Sequence, residues 1–252
     1  MAFIALATLA ISCLVLKLRV KPSGRRQIFQ LHAYREPAFL INQIAGFVAF
    51  VGFFAPFFYL ESYSLAQPQD DKSIAFYLLP MILAGSFCGR IVPNFFADKT
   101  GPFLVLIPGC FISGLLALCW IAIKSTRGLI AFAVLFGFFT GGIVSITPLT
   151  VVAITPNYRD LGTRMGMFMG GGALATLIGA PILGAILNDT GSYLGVQIFC
   201  GVLLIAGGVL WIPTYWFATR AHDRKVAVGE FSVGGAGGPQ MSKEIRVSDN
   251  EK

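Results

Sequence analysis

The chain has 252 residues, of which 56% are hydrophobic and only 12% charged. A soluble domain carries roughly 25% charged residues, so a water-soluble fold of this size is excluded for lack of polar surface. The mean hydropathy of +0.75 makes lipid the solvent for much of the molecule.

Seven apolar runs follow one another: Met1–Leu16, Ala38–Leu60, Ile74–Phe96, Phe103–Ile123, Leu129–Ile154, Met165–Leu187 and Tyr193–Ala218. A spanning helix needs about 20 residues, with a range of about 17–25, so the first run is short and the other six are long enough. Runs of this length are too long for strands, and open sheets cannot cross lipid. The fold class expected is therefore an all-α membrane protein of about seven transmembrane helices. In the first run, the charge of Lys17, Arg19 and Lys21 comes after the apolar stretch. A signal peptide carries it before, so the segment reads as an anchor. A basic loop over residues 17–37 follows, and a polar, glycine-rich tail over 220–252 is expected to be disordered.

Basic residues mark one side of the membrane. Lys17, Arg19, Lys21, Arg25, Arg26, Arg35, Lys99, Arg159, Arg164, Arg220, Arg224 and Lys225 fall on one side, and Lys72, Lys124 and Arg127 on the other. The excess side is cytoplasmic, which puts the amino terminus outside and the carboxyl terminus inside, in a multi-pass protein of the plasma membrane. Tyr59, Tyr63, Trp120 and Tyr193 at outer helix ends, with Trp211, Tyr215 and Trp216 near the inner end of the last run, fit interfacial aromatic belts. The second run is rich in phenylalanine, reads mostly as lipid-facing bulk, and is interrupted by Pro56, which can kink a helix.

Little in the sequence suggests an enzyme. Cys13, Cys88, Cys110, Cys119 and Cys200 sit inside apolar runs and read as small buried hydrophobes. His32 and His222 lie in polar loops, so no metal site and no cofactor is implied, and the tail glycines do not follow a strand as a nucleotide loop would. No nucleic-acid partner is implied either; the partners expected are the lipid bilayer and a small molecule.

Ionisable residues inside spans are costly and usually functional. Arg90, two-thirds of the way through the third run, is the clearest, and Asp98 and Lys99 follow at the end of that helix. No acid lies within a turn of Arg90 on its own helix; Asp98 is eight residues on, roughly 12 Å along the axis. A guanidinium reads a carboxylate through two parallel hydrogen bonds, so an anionic ligand suits Arg90. The alternative is snorkelling toward water.

The stretch GRIVPNFFADKTGP over residues 89–102 is the most specific in the chain. Within it, Asn94–Gly101 resembles the G-x-x-x-D-[RK]-x-G loop signature of the major facilitator superfamily, with Asn94 in place of the usual first glycine. Together with Phe76–Leu79, Gly162–Gly166 and Tyr193–Phe199, the pattern is similar to the monocarboxylate transporter family, and most of all to its fungal branch. The resemblance covers nearly the whole chain up to Arg220.

That resemblance implies twelve spans in two six-helix halves. Residues 1–16 look like a sixth span, 17–37 like the central cytoplasmic loop, and 38–219 like the complete second half; the first half lies outside these 252 residues. It implies alternating access, with a small organic anion or related metabolite bound near the bilayer midplane and often moved by symport with a proton. It implies a substrate-binding role for Arg90, whereas Ser86 stands where many members carry an aspartate implicated in proton coupling. It implies a cytoplasmic gate at Asp98, Lys99 and Gly101, for which the start of the sixth run, with Arg164, is the expected partner. Small residues four apart let helices approach closely. Gly85 and Gly89, Gly137 and Gly141, and Gly162, Gly166 and Gly170 have that spacing, and Gly170, Gly179, Pro181 and Gly184 resemble a glycine–proline motif of the superfamily. Three alternatives remain: an exporter of a fungal secondary metabolite, a non-transporting remnant that self-associates or awaits an amino-terminal half, and a seven-span receptor. The last is disfavoured by the missing Asn-Pro-x-x-Tyr in the final run.

Overall fold

A computed structural model describes residues 31–67, 73–155 and 160–227, with Ala10 alone before them. The first apolar run, most of the basic loop and the tail beyond Ala227 lie outside the described residues. Among the described residues, six helices are long and apolar enough to cross a membrane, matching the second to seventh runs.

The first crossing is made of two helices, α1 (Pro37–Phe53) and α2 (Ala55–Ala66). Pro37 starts α1, where a missing N–H costs nothing. Pro56 ends its continuity. As an imino acid it cannot donate to the carbonyl of Gly52 four residues back, and the N–H of Phe54 takes that carbonyl instead.

Helices α3 (Ser73–Thr100) and α4 (Pro102–Cys119) are joined by Gly101 alone. Gly101 has φ of +99°, a backbone region that other residues rarely enter. Its N–H donates to the carbonyl of Ala97 at 2.8 Å, and the Thr100 hydroxyl donates to that of Phe96. Pro102 then opens α4. A 3-10 turn, Trp120–Ala122, leads to α5 (Thr126–Ile154), whose cap Ser125 accepts from the N–H of Gly128. Helix α6 (Leu161–Thr190) ends on Gly191, with φ of +61° and its N–H on the carbonyl of Leu187, a left-handed cap. Helix α7 (Tyr193–Ala227) continues past Arg220, so residues 220–227, assigned by sequence to a disordered tail, are helical.

Helix α5 is the hub, packing against α3 and α4 and more lightly against α1 and α6. Its closest neighbour is α3. A Cβ at Gly85 or Gly89 would fall on the carbonyls of Val134 or Phe138, and one at Gly137 or Gly141 on those of Ile82 or Ser86. The two backbones are therefore in contact along two turns, which only glycine allows. The buried hydroxyls of Thr140, Thr147 and Thr150 are satisfied on carbonyls of their own helix. On the other flank α7 lies between α1 and α4, and α6 packs mainly on α1.

Several aromatic residues sit deeper than interfacial belts would. Trp120 and Trp211 are fully buried. Trp120 stacks on Phe132, meets Tyr63 edge to face at 5.4 Å, and closes one end of the core. Tyr63 also touches Tyr193, and its hydroxyl donates to the carbonyl of Ile123. Trp211 is held inside because its ring N–H donates to Asn42 Oδ1 at 2.9 Å, an oxygen that Thr150 also approaches; a buried indole usually finds such a partner. Trp216, by contrast, is half exposed beneath the guanidinium of Arg220 at 3.4 Å, as a belt residue would be, and Tyr59, Tyr193 and Tyr215 are partly exposed. Phe53 is likewise buried, while Phe58 faces outward. Cys110 and Cys200 are buried, but Cys88 and Cys119 are exposed on outer helix faces; Cys13 lies outside the described residues.

Candidate functional site

Arg90 lies on the exposed part of α3. Among the described residues its guanidinium makes neither an ion pair nor a hydrogen bond; only its carbonyl is engaged, by the Asn94 amide. At about 100° per residue, Arg90 is roughly 160° around the helix from Val92. Val92 borders α4. Arg90 therefore lies on the edge of α3 turned away from α4, next to Leu83 and Ser86. Ser86 is buried against the α5 seam.

At the end of α3, Asp98 and Lys99 are both exposed. Lys99 rests over the ring of Phe95, 4.4 Å from its centroid, and Asp98 has no ion-pair partner among the described residues. Here the structure corrects the sequence expectation. Arg164 does not meet Asp98, because α6 packs on α1 and not appreciably on α3. Its partner is Glu36, the residue before α1. The two guanidinium nitrogens donate to the two carboxylate oxygens at 2.6 and 2.7 Å, a bidentate pair. Arg164 is 5% exposed and Glu36 34%. The guanidinium also lies over Phe39, 5.6 Å from its centroid, and its Nε finds no acceptor among the described residues. Sequence reasoning passed over Glu36. The available signal was an acid at the start of the first crossing, on the same membrane side as Arg164.

The glycines divide into two groups. Gly85, Gly89 and Gly179 are filled by neighbours, Gly179 by the carbonyl of Val51. Gly184 lies near the hydroxyl of Tyr59. Among the described residues, a Cβ at Gly166 or Gly170 would meet nothing within 4 Å, and Gly162 and Pro181 are exposed. These last four, with Ala173 and Leu177, make one open face of α6.

A family model described as Major Facilitator Superfamily matches residues 74–243, which take in five of the six crossings and Arg90. The chain belongs to the major facilitator superfamily. A superfamily transporter of Emericella nidulans, dbaD, is 39% identical over 213 residues, covering 83% of this chain and 48% of that protein. The aspyridones efflux protein apdF of the same organism is 38% identical, covering 82% and 42%. The agnestins efflux protein AgnL12 of Paecilomyces divaricatus is 33% identical, covering 82% and 48%. The chain spans about half the length of the curated relatives it matches. Among solved structures, the fucose:proton symporter FucP of E. coli has the same fold, with a TM-score of 0.67 at 16% identity over 82% of this chain and 52% of that one. Superfamily membership makes this a multi-pass membrane protein with a transporter fold, and the receptor alternative falls away.

Proposed function

We propose that this chain is the second half of a fungal exporter of an organic metabolite, working by alternating access together with a first half of similar size. The efflux names of two of its relatives support the direction. The sequence resemblance to monocarboxylate transporters supports an anionic substrate.

The observation that carries this reading is Arg90. An arginine inside a spanning helix costs up to about 2.5–3.5 kcal/mol on insertion scales, and Arg90, two-thirds of the way through its span, has no ion-pair partner among the described residues. An acidic group on the metabolite supplies that partner, bound through two parallel hydrogen bonds. Ser86, one turn earlier, offers a hydroxyl but no proton-carrying carboxylate. In the α3–α4 turn, Asp98 and Gly101 meet the first half when the basic end is closed. The Glu36–Arg164 pair fixes the neighbouring α1–α6 junction. The basic end is cytoplasmic by its excess of lysine and arginine.

The test uses a complete transporter that contains this half, with Arg90→Lys and Arg90→Gln. Export of an acidic metabolite from loaded vesicles should fall at least tenfold in both, since losing a charge-assisted hydrogen bond costs about 1.5–3 kcal/mol. Lysine keeps the charge but loses the fork. Unchanged export by the lysine variant overturns the bidentate role, and unchanged export by both reduces Arg90 to a snorkelling side chain.

A further inference from the structure

On the side of the bundle away from α6, an apolar groove of about 520 Å³ runs between α3, α4 and α5. Its walls include Val92, Phe96, Leu104, Pro108, Gly109 and Phe139. Val92, Phe96 and Leu104 are exposed at its rim. We propose that this groove is a binding site for one acyl chain of an anionic phospholipid from the leaflet at the basic end, with Lys99 meeting the lipid phosphate.

Three features select this occupant. The first is position. Helix α4 packs on α3, α5 and α7 and shares no substantial interface with α1 or α6, so the groove opens at the back of the bundle. Arg90 and the open face of α6 point elsewhere. The second is length. From Val92 to Thr100 on α3, and from Leu104 to Ile112 on α4, the wall extends about 12 Å at 1.5 Å per residue. One leaflet of a bilayer has a hydrocarbon depth of about 15 Å, half of a core of about 30 Å. The groove thus begins at the polar boundary and ends near the midplane, as a single acyl chain does. The third is charge. Lys99 lies next to Thr100 at the mouth, is exposed, and is steadied over Phe95. Its ammonium stands at headgroup height, where a basic residue draws anionic lipid. An empty crevice in the wall would forfeit dispersion contacts on every lining atom, and a flexible acyl chain restores them.

The structure also supplies a way to fill the site. A Cβ at Gly109 would approach only Ile143, at an ordinary contact distance of 3.8 Å, so Gly109→Leu puts a side chain into the groove without displacing backbone.

The full 252-residue chain is placed in nanodiscs of phosphatidylcholine doped with phosphatidylserine carrying a photoactivatable diazirine on its acyl chain, and labelled peptides are mapped. Labelling is expected to concentrate on residues 92–112 and to fall severalfold in Gly109→Leu. Lys99→Gln is expected to lower labelling by phosphatidylserine about fivefold, as one lysine at the surface contributes, while leaving labelling by the matching phosphatidylcholine probe unchanged. Val92→Trp, which blocks the rim instead of the floor, should reproduce the loss if Gly109→Leu does not fold. Labelling spread evenly around the bundle, or equal in the filled variants, overturns the proposal. So does a groove protected from lipid by the chain's own first apolar run, detected as a disulfide between cysteines placed at residues 8 and 104, or by a second copy, detected as an intermolecular link.

Discussion

Helices α5 and α6 are alike in length, 29 and 30 residues, and both are rich in glycine, yet they end in opposite circumstances. Of the most apolar 18 residues, 56% are buried in α5 and only 17% in α6. In α5 the glycines are spent on α3, where Gly85, Gly89, Gly137 and Gly141 bring the two backbones together. In α6 the same spacing at Gly162, Gly166 and Gly170 faces outward, and among the described residues Gly166 and Gly170 have open space around them. The difference teaches that a small-residue repeat encodes a close approach without saying to what. In α5 the partner is within the chain. On α6 the repeat presents a smooth surface at the basic end, beside the Glu36–Arg164 pair.

The largest effect expected is at the closed seam. Gly89→Leu should destabilise the folded chain by more than about 4 kcal/mol, a size reserved for overpacking and comparable faults. Backbone opposes the new side chain, and no rotamer avoids a carbonyl. The measurement is the thermal unfolding midpoint in detergent together with the recovered monodisperse fraction. A variant that folds with its midpoint intact would mean that α3 and α5 do not touch at Gly89.

The basic end should respond less, and asymmetrically. Glu36→Gln strands a guanidinium that is 5% exposed and should cost roughly 2–3 kcal/mol, less than the ~3–5 kcal/mol of breaking a fully buried pair, because Glu36 is 34% exposed. Arg164→Met leaves Glu36, which is 34% exposed and regains water, so its cost should be nearer about 1 kcal/mol. The double variant should be less destabilised than the sum of the two. Equal costs for the two single changes would show that the pair is as open to water at one end as at the other.

What was legible in the sequence follows the range of each interaction. The Pro56 break, the turn from Asp98 to Gly101 and the six crossings depend on residues within a few positions of one another, and the sequence carries them directly. The seam between α3 and α5 was half legible: the glycine spacing marked both helices but did not pair them. The partner of Arg164 was misread because Glu36 is 128 residues away, and no periodicity connects an acid at one helix start with an arginine at another. Trp211 was misread for a related reason, whereas Trp120 is buried by its ring contacts with Phe132 and Tyr63 although its N–H has no acceptor among the described residues. An indole near a helix end suits an interface equally well until a distant residue, here Asn42 for Trp211, offers its N–H a buried partner.

The smallest effect is expected on the open face, and it sharpens the contrast most. Gly170→Leu in the 252-residue chain puts a side chain where none of the described residues lies within 4 Å. Such a change should shift stability by no more than about 0.5 kcal/mol from contacts alone. Because leucine favours helix over glycine by close to 1 kcal/mol, the midpoint should hold or rise slightly. The same substitution in a complete transporter meets a different test. If the first half covers this face during the cycle, the added side chain obstructs a close approach and export falls while insertion and folding of this half stay normal. Overpacking costs of about 1–3 kcal/mol correspond to roughly fivefold to over a hundredfold at the step concerned. Normal export by Gly170→Leu would mean that lipid, not protein, faces the α6 glycines, and the resemblance between α5 and α6 would then end at their sequences.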